Sequence, residues 1–299
     1  MNSWFFIKKY PISVSIGFLG RIIDYMQALV SLIKKRIPKK SYNLALLRSY
    51  LNWHNGEINE LDANLIEIKL NSKSNQITAI LRDNVSDFLT FSEVIIAQEY
   101  QLTVDFIKEN KQFSPQLIID VGANIGLATV FFKYHFPDSR MICIEPDPDN
   151  VKILQKNIIF NHLKDCEVLT NGLWHSDQKL KLSNDFRDGL SWSTRVIESQ
   201  EGGIMGLSIE SLLEKCNQEV IDLVKLDIEG TEFELFRNLP TMLPLLEKTR
   251  SIIIEVHQEF GDPSEIIEVL RQSGFLTFRT GHLLLAANLQ KFPLTQISV

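Results

Sequence analysis

From Leu117 onward, short apolar runs alternate with stretches carrying helix punctuation, and few folds accommodate that alternation. The runs at 117–121, 141–144, 167–169, 221–226 and 251–256 are rich in Ile, Val and Leu. Each is short enough for a strand, and most are apolar on both faces, as a parallel strand between two helical layers requires. The intervening helices mark their own ends. Asp147-Pro148 reads as an N-cap followed by proline in the first turn, with Val151, Leu154 and Ile158 on one face. Asp262-Pro263 repeats the device: Glu265 completes a capping box, Ile266, Val269 and Leu270 form the buried stripe, and Gly274 stands where the helix should stop. The expected architecture is a doubly wound, mostly parallel α/β sheet with helices on both faces. Its ligands should bind outside the carboxyl ends of the strands.

A helical and β-hairpin region precedes this sheet. Residues 65–70 alternate polar and apolar, 76–81 follow after a polar turn at 71–75, and 91–100 reads as helical before Pro115. The chain therefore divides into a basic amphipathic segment (1–50), a hairpin-and-helix preamble (51–115) and the sheet domain (116–299). The net charge of −6 hides an asymmetry, because residues 1–40 hold eight basic residues and one acid, leaving −13 on the rest. So acidic a body is a poor partner for a phosphate backbone, and no nucleic-acid ligand is expected. Cys143, Cys166 and Cys216 are odd in number and widely spaced, which excludes a disulfide framework and suits a reducing cytoplasm.

Residues 12–33 are mostly apolar but carry Arg21 and Asp24 near their middle. A lone spanning helix would bury both charges in hydrocarbon at roughly 2.5–3.5 kcal/mol each. No small-residue cleavage site follows, so this is no clean signal peptide. Two readings stay open: an amphipathic helix lying peripherally on an anionic membrane face, or a helix packed on its own domain with solvated lysines.

The most informative stretch is Leu-Ile-Ile-Asp-Val-Gly-Ala-Asn-Ile-Gly at 117–126. A buried strand leads through Asp120 into a G-x-N-x-G turn that opens a helix near Leu127. The spacing approaches the dinucleotide fingerprint, with two departures. The Asp120 carboxylate would repel a pyrophosphate, and Asn124 replaces the glycine that lets backbone approach one. A ligand with a cationic end, ammonium or sulfonium, suits this loop better. Glu145 stands at the next strand tip, where an acid accepts hydrogen bonds from the ribose hydroxyls of an adenosine cofactor.

Asp-Val-Gly-Ala-Asn-Ile-Gly (120–126), Ile-Glu-Pro-Asp-Pro (144–148) and Lys-Leu-Asp-Ile-Glu-Gly (225–230) together resemble the signature of the FkbM family. So do residues 81–87, Glu99-Tyr100 and Ile254-Glu255-Val256-His257. The resemblance covers roughly residues 60–290 and implies a Rossmann-like, class I methyltransferase using S-adenosylmethionine. It further implies transfer to a hydroxyl oxygen of a sugar, glycan or natural product. By this likeness Asp120, Gly122, Asn124 and Gly126 wrap the methionine part and Glu145 holds the ribose. Asn171 and Gly172 flank the adenine, and Glu99 reaches in from the preceding helix.

On the acceptor side, in-line displacement needs collinear oxygen, carbon and sulfur, and a hydroxyl gains from a positioned base. Lys225, Asp227 and Glu229 lie two apart on the fourth strand and share a face; Glu255 and His257 do so on the fifth. Asp227 and His257 are the expected acid/base pair, with Glu229 and Glu255 shaping the site and Lys225 either catalytic or a neutralising ion pair. No spacing motif demands a metal and none is expected, although Asp227, Glu255 and His257 offer an alternative set of ligands for a divalent ion. The 185–203 loop, with Trp192, Arg195 and Gly202-Gly203, reads either as a sugar platform or as a place where Trp192 joins the core. Two rival functions are a non-catalytic cofactor-binding scaffold and an NAD-dependent dehydrogenase.

Overall fold

Backbone pairing assembles the apolar runs into one seven-stranded sheet. A computed structural model of the chain describes residues 56–62, 64–71, 76–109, 113–183 and 195–292; the basic segment 1–50, the 72–75 turn and Trp192 lie outside them. The described residues belong to one compact unit. Among the described residues, no helix is long and apolar enough to cross a membrane.

The expected hairpin is present and gains an edge strand. β1 (Glu57–Glu60) pairs antiparallel with β2 (Leu65–Asn71), which pairs antiparallel with β3 (Gln76–Arg82). β1 reads Glu-Ile-Asn-Glu. It has too little alternation to announce a strand, and its charges suit a sheet edge. The helix expected at 91–100 is displaced toward the N-terminus. α1 (Val85–Phe91) starts at Asn84, whose side chain accepts from Asp87 N at 2.7 Å, then passes into a π-helical turn at Ser92–Ile96. α2 (Gln101–Glu109) follows.

The main domain runs β4 (Leu117–Val121), α3 (Leu127–His135), β5 (Arg140–Ile144), α4 (Pro148–Phe160) and β6 (Cys166–Leu169). A small four-stranded sheet then interrupts the alternation: β7 (Asn171–Leu173), β8 (Lys179–Ser183), β9 (Arg195–Glu198) and β10 (Ile204–Leu207), in the order β7-β10-β8-β9. α5 (Ile209–Cys216), β11 (Ile221–Leu226), α6 (Thr231–Arg237), α7 (Leu239–Lys248), β12 (Thr249–Glu255), α8 (Pro263–Gln272), β13 (Leu276–Thr280) and β14 (Leu283–Ala287) complete it. The large sheet has the order β13-β14-β12-β11-β4-β5-β6, and β14 alone runs antiparallel to its neighbours. The caps read from sequence are in place, including the Asp262–Glu265 capping box and Gly274 at φ +88°. Every residue of β4 and β11 is buried, so the sheet is covered on both faces. Strand order reverses between β4 and β11, and such a reversal opens a crevice at the strands' carboxyl ends.

The hairpin is fastened to this domain by two carboxamides. β3 has a strand neighbour on one side only. On the other, the wholly buried Asn157 of α4 accepts from Ile80 N at 2.6 Å and donates to Ile80 O at 3.0 Å and Ile125 O at 2.7 Å. One turn on, Asn161 accepts from Thr78 N at 2.8 Å and donates to Thr78 O. The side chains pair with the strand edge as a further strand would. Asn157→Ala strands three buried backbone groups, so urea unfolding of the full chain should show a loss of about 3 kcal/mol. Asn157→Asp, which sets an acceptor against two carbonyls, should lose at least as much.

Candidate active site

The turn after β4 has a shape that few side chains permit. Gly122, Asn124 and Gly126 have φ of +73°, +48° and +83°. A methyl group on Gly122 would sit 1.6 Å from the Asp227 carbonyl oxygen, so only glycine lets the tips of β4 and β11 approach this closely. Gly126 serves helix packing instead, since a methyl group there would meet Leu154 Cδ1 at 2.3 Å. Gly122 N and Ala123 N both donate to Ile144 O, at 2.9 and 3.0 Å, and Asn124 N donates to Glu145 Oε2 at 2.8 Å. These donors are therefore consumed, and the turn presents them to no pyrophosphate, against the dehydrogenase reading.

Beneath the turn lies Lys225, 3% exposed. Its Nζ donates to Gly122 O at 2.7 Å and stands 3.2 Å from Asp120 Oδ1 and 3.4 Å from Asp227 Oδ2. Burial opposes its charge, but Asp120 and Asp227 more than compensate and hold its pKa above the usual lysine value. Asp120 is fully buried, with Oδ2 accepting from Thr129 Oγ1 at 2.7 Å. Expected to wrap a cofactor, Asp120 instead lines neither of the cavities described next; it anchors Lys225 from below.

Two cavities open at the strand tips. The first is lined by Glu145, Asn150, Asn171, Gly172 and Arg195 among others. The second is lined by Glu93, Glu99, Tyr100, Lys225 and Glu255 among others. Gly122, Asn124, Asp227 and Glu229 belong to both walls. Glu145 Oε1 accepts from Asp147 N at 3.0 Å and Asn150 Nδ2 at 3.2 Å, while Oε2 accepts from Asn124 N. That leaves about one of its four acceptor positions for a ligand. Burial pushes Glu145 up to about 7 despite those bonds. Asn171 Nδ2 is engaged with Met205 O at 3.0 Å.

The five residues singled out for the acceptor side do converge, although the chain leaves β11 after Leu226. Asp227 and Glu229 follow the strand, and a left-handed Glu229 (φ +53°) turns the chain there. His257 Nε2 lies 3.3 Å from Glu229 Oε2, 3.8 Å from Glu255 Oε1 and 4.0 Å from Asp227 Oδ1. His257 itself lines neither cavity; it stands 1% exposed behind the carboxylates, not on the wall as expected for an acid/base partner. Burial works to lower its pKa, but Glu229 and Glu232 overcome that and lift it to about 11. Burial and then the Asp227 charge push Glu255 up to about 8, and Glu99, 3.4 Å from His282, lifts that histidine to about 9.

Sequence reasoning missed Glu232, wholly buried on α6. Its Oε1 accepts from both Nδ1 and the backbone N of His257, each at 2.8 Å, and its Oε2 from Gly230 N at 2.9 Å. An acid two residues past Gly230, in the first turn of a helix, was the available signal. Glu93 on the π-helical turn, which burial raises to about 7, carried no such signal.

The first cavity suits an adenosyl cofactor: a glycine whose Cβ would fill the approach, an acid at the second strand tip, and no cradle for phosphate. Comparison with known proteins agrees. Residues 120–277 match the family described as the methyltransferase FkbM domain, over half of the chain. Methyltransferase sdnD of Sordaria araneosa is 26% identical over 197 residues, covering 54% of this chain and 74% of its own. Methyltransferase 1 of Beauveria bassiana is 22% identical over 180 residues, with 53% and 71% covered. Among solved structures, the magnesium protoporphyrin IX methyltransferase of Synechocystis PCC 6803, with bound SAM, aligns at 12% identity and a TM-score of 0.40, covering 64% of this chain and 78% of that one. The family match opens at Asp120 and closes inside β13, taking in the tips of β4, β5, β11 and β12: this chain belongs to the FkbM methyltransferase family, and S-adenosylmethionine is its cofactor.

Proposed function

We propose that the methyl group goes to a hydroxyl oxygen of a sugar, glycan or natural product, with Asp227 receiving the proton. The observation that carries this reading is the wall common to both cavities, where Asp227 stands between the cofactor side and an acid-lined acceptor side. S-adenosylmethionine supplies an electrophilic methyl group on sulfur. Glu145, Asn171 and Gly172 would hold its adenosyl part, and Gly122 and Asn124 lie where the two cavities meet. Asp227 presents a carboxylate a quarter exposed, with Oδ2 steadied by Lys225 and Oδ1 turned toward His257. Glu229 and Glu255 flank it, and His257 acts from behind as a positioning group.

The free thiols of Cys143, Cys166 and Cys216 support a reducing, cytoplasmic setting. The basic residues of segment 1–40 support peripheral contact with an anionic membrane. Replacing Lys34, Lys35, Arg36, Lys39 and Lys40 by Gln in the full chain should therefore reduce co-sedimentation with phosphatidylserine vesicles and leave neutral vesicles unaffected; equal partitioning of both proteins removes the membrane contact.

Labelled methyl transfer to a panel of glycans, lipid-linked sugars and small hydroxylated metabolites tests the acceptor class. Asp227→Asn should bind S-adenosylmethionine within about threefold of wild type while losing roughly 10²–10⁴-fold in turnover. Label entering only amines or protein would refute the hydroxyl reading. Glu145 adds a pH signature. Its carboxylate accepts a ribose hydroxyl more strongly than the acid does, and it gains a proton as pH falls through about 7. Cofactor affinity measured by calorimetry should then rise roughly three- to tenfold from pH 6 to pH 8, and Glu145→Gln should flatten that rise.

A further inference from the structure

Where β11 and β12 end side by side, one imidazole and two carboxylates converge on a common point. Asp227, Glu229 and His257 each bring one donor atom, and these atoms all lie within 4.8 Å of one another. We propose that they form a binding site for a divalent cation that takes mixed oxygen and nitrogen donors, Mn²⁺ in preference to Mg²⁺.

The imidazole carries the argument. His257 is 1% exposed, and its Nε2 hydrogen-bonds to nothing although three carboxylates surround it at 3.3, 3.8 and 4.0 Å. The other ring nitrogen is fixed, because Nδ1 donates to Glu232 Oε1 at 2.8 Å. Glu232 is itself wholly buried and pinned by His257 N and Gly230 N, so the carboxylate cannot follow the ring and rotation would forfeit the Nδ1 hydrogen bond. A carboxylate that holds one imidazole nitrogen so that the other faces outward is the support that metal-binding histidines use. An ion would take the place of a proton on Nε2.

The distances suit a shared ion. Two donors at ~2.1–2.3 Å from one ion lie ~3.0–3.3 Å apart at a right angle and ~4.2–4.6 Å apart across it. Nε2 to Glu229 Oε2 is 3.3 Å, and Nε2 to Asp227 Oδ1 is 4.0 Å, between those limits. Asp227 divides its oxygens, leaving Oδ2 with Lys225 at 3.4 Å and Oδ1 for the ion. Carboxylates suit both Mg²⁺ and Mn²⁺, but Mg²⁺ is the harder cation and keeps to oxygen ligands, so an imidazole nitrogen in the set favours Mn²⁺ over Mg²⁺. Three protein donors leave further positions open on the side where Asp227 and Glu229 line the acceptor cavity. The site's role rests on the proposed transfer to oxygen, since an ion there would polarise an acceptor hydroxyl while Asp227, holding the ion through Oδ1, would take the hydroxyl proton on Oδ2.

The test is Mn²⁺ binding by the full chain, stripped with chelator and without S-adenosylmethionine, followed by electron paramagnetic resonance. One Mn²⁺ should bind per chain, with electron spin echo modulation from a single imidazole nitrogen. Glu229→Gln and Asp227→Asn should each weaken it at least tenfold, and His257→Gln should remove the nitrogen coupling. Glu99→Gln, on the same cavity but outside the donor set, should change affinity less than threefold. Absence of binding at about 1 mM Mn²⁺, purely oxygen coordination, or equal losses in Glu99→Gln and Glu229→Gln would each overturn the site. Calorimetry of S-adenosylmethionine on the same samples reads the methyltransferase assignment separately. Cofactor binding without Mn²⁺ uptake refutes the cation site alone, and Mn²⁺ uptake with methyl transfer only to amines refutes the oxygen acceptor alone.

Discussion

One buried ammonium holds the centre of this protein together. Lys225 reaches from β11 to the carbonyl of Gly122 and to the carboxylates of Asp120 and Asp227, joining two parallel strands at the point where the sheet changes direction. A charge so completely removed from water survives only with partners in good geometry. Each partner has a further duty: Gly122 shapes the cofactor turn, Asp120 ties in Thr129 of α3, and Asp227 faces both cavities. The ion cluster therefore sets the distance between the two cavities. The absence of a side chain at Gly122 permits that distance, since a Cβ would collide with the Asp227 carbonyl.

Around this centre the balance of charge is uneven. Glu93, Glu99, Asp227, Glu229 and Glu255 line one cavity with Lys225 as the cation among the lining residues. Burial raises these carboxylates' affinity for protons, and the neighbouring like charges add to the effect, as with Glu93 at about 7 and Glu255 at about 8. Such a cleft attracts cations and proton-bearing hydroxyls and repels phosphates.

The parts of the fold legible in the sequence were those with local signatures. The parallel strands stood out because both faces are apolar, and α4 and α8 because Asp-Pro dipeptides cap them. The G-x-N-x-G turn was legible because positive φ demands particular residues. β1, the π-helical turn and the reversed β14 had no such signature; tertiary pairing makes them. The site divides similarly. Asp227, Glu229 and Glu255 reach the wall that strand periodicity indicates, whereas Asp120 does not. The alternation rule assigns a face but not a depth, and Asp120 points to the side that Lys225 fills. Glu232 was hidden because its partner, His257, is 25 residues away in sequence and adjacent only once β11 and β12 pair.

The carboxamide clasp on β3 bears on how the chain is made. Its partners lie 77 and 83 residues apart. During synthesis the hairpin leaves the ribosome with an open strand edge, and that edge stays open until α4 has been translated. An unpaired edge is where nascent chains adhere to one another. Residues 76–82 are therefore a stretch that a chaperone has reason to shield until α4 has emerged.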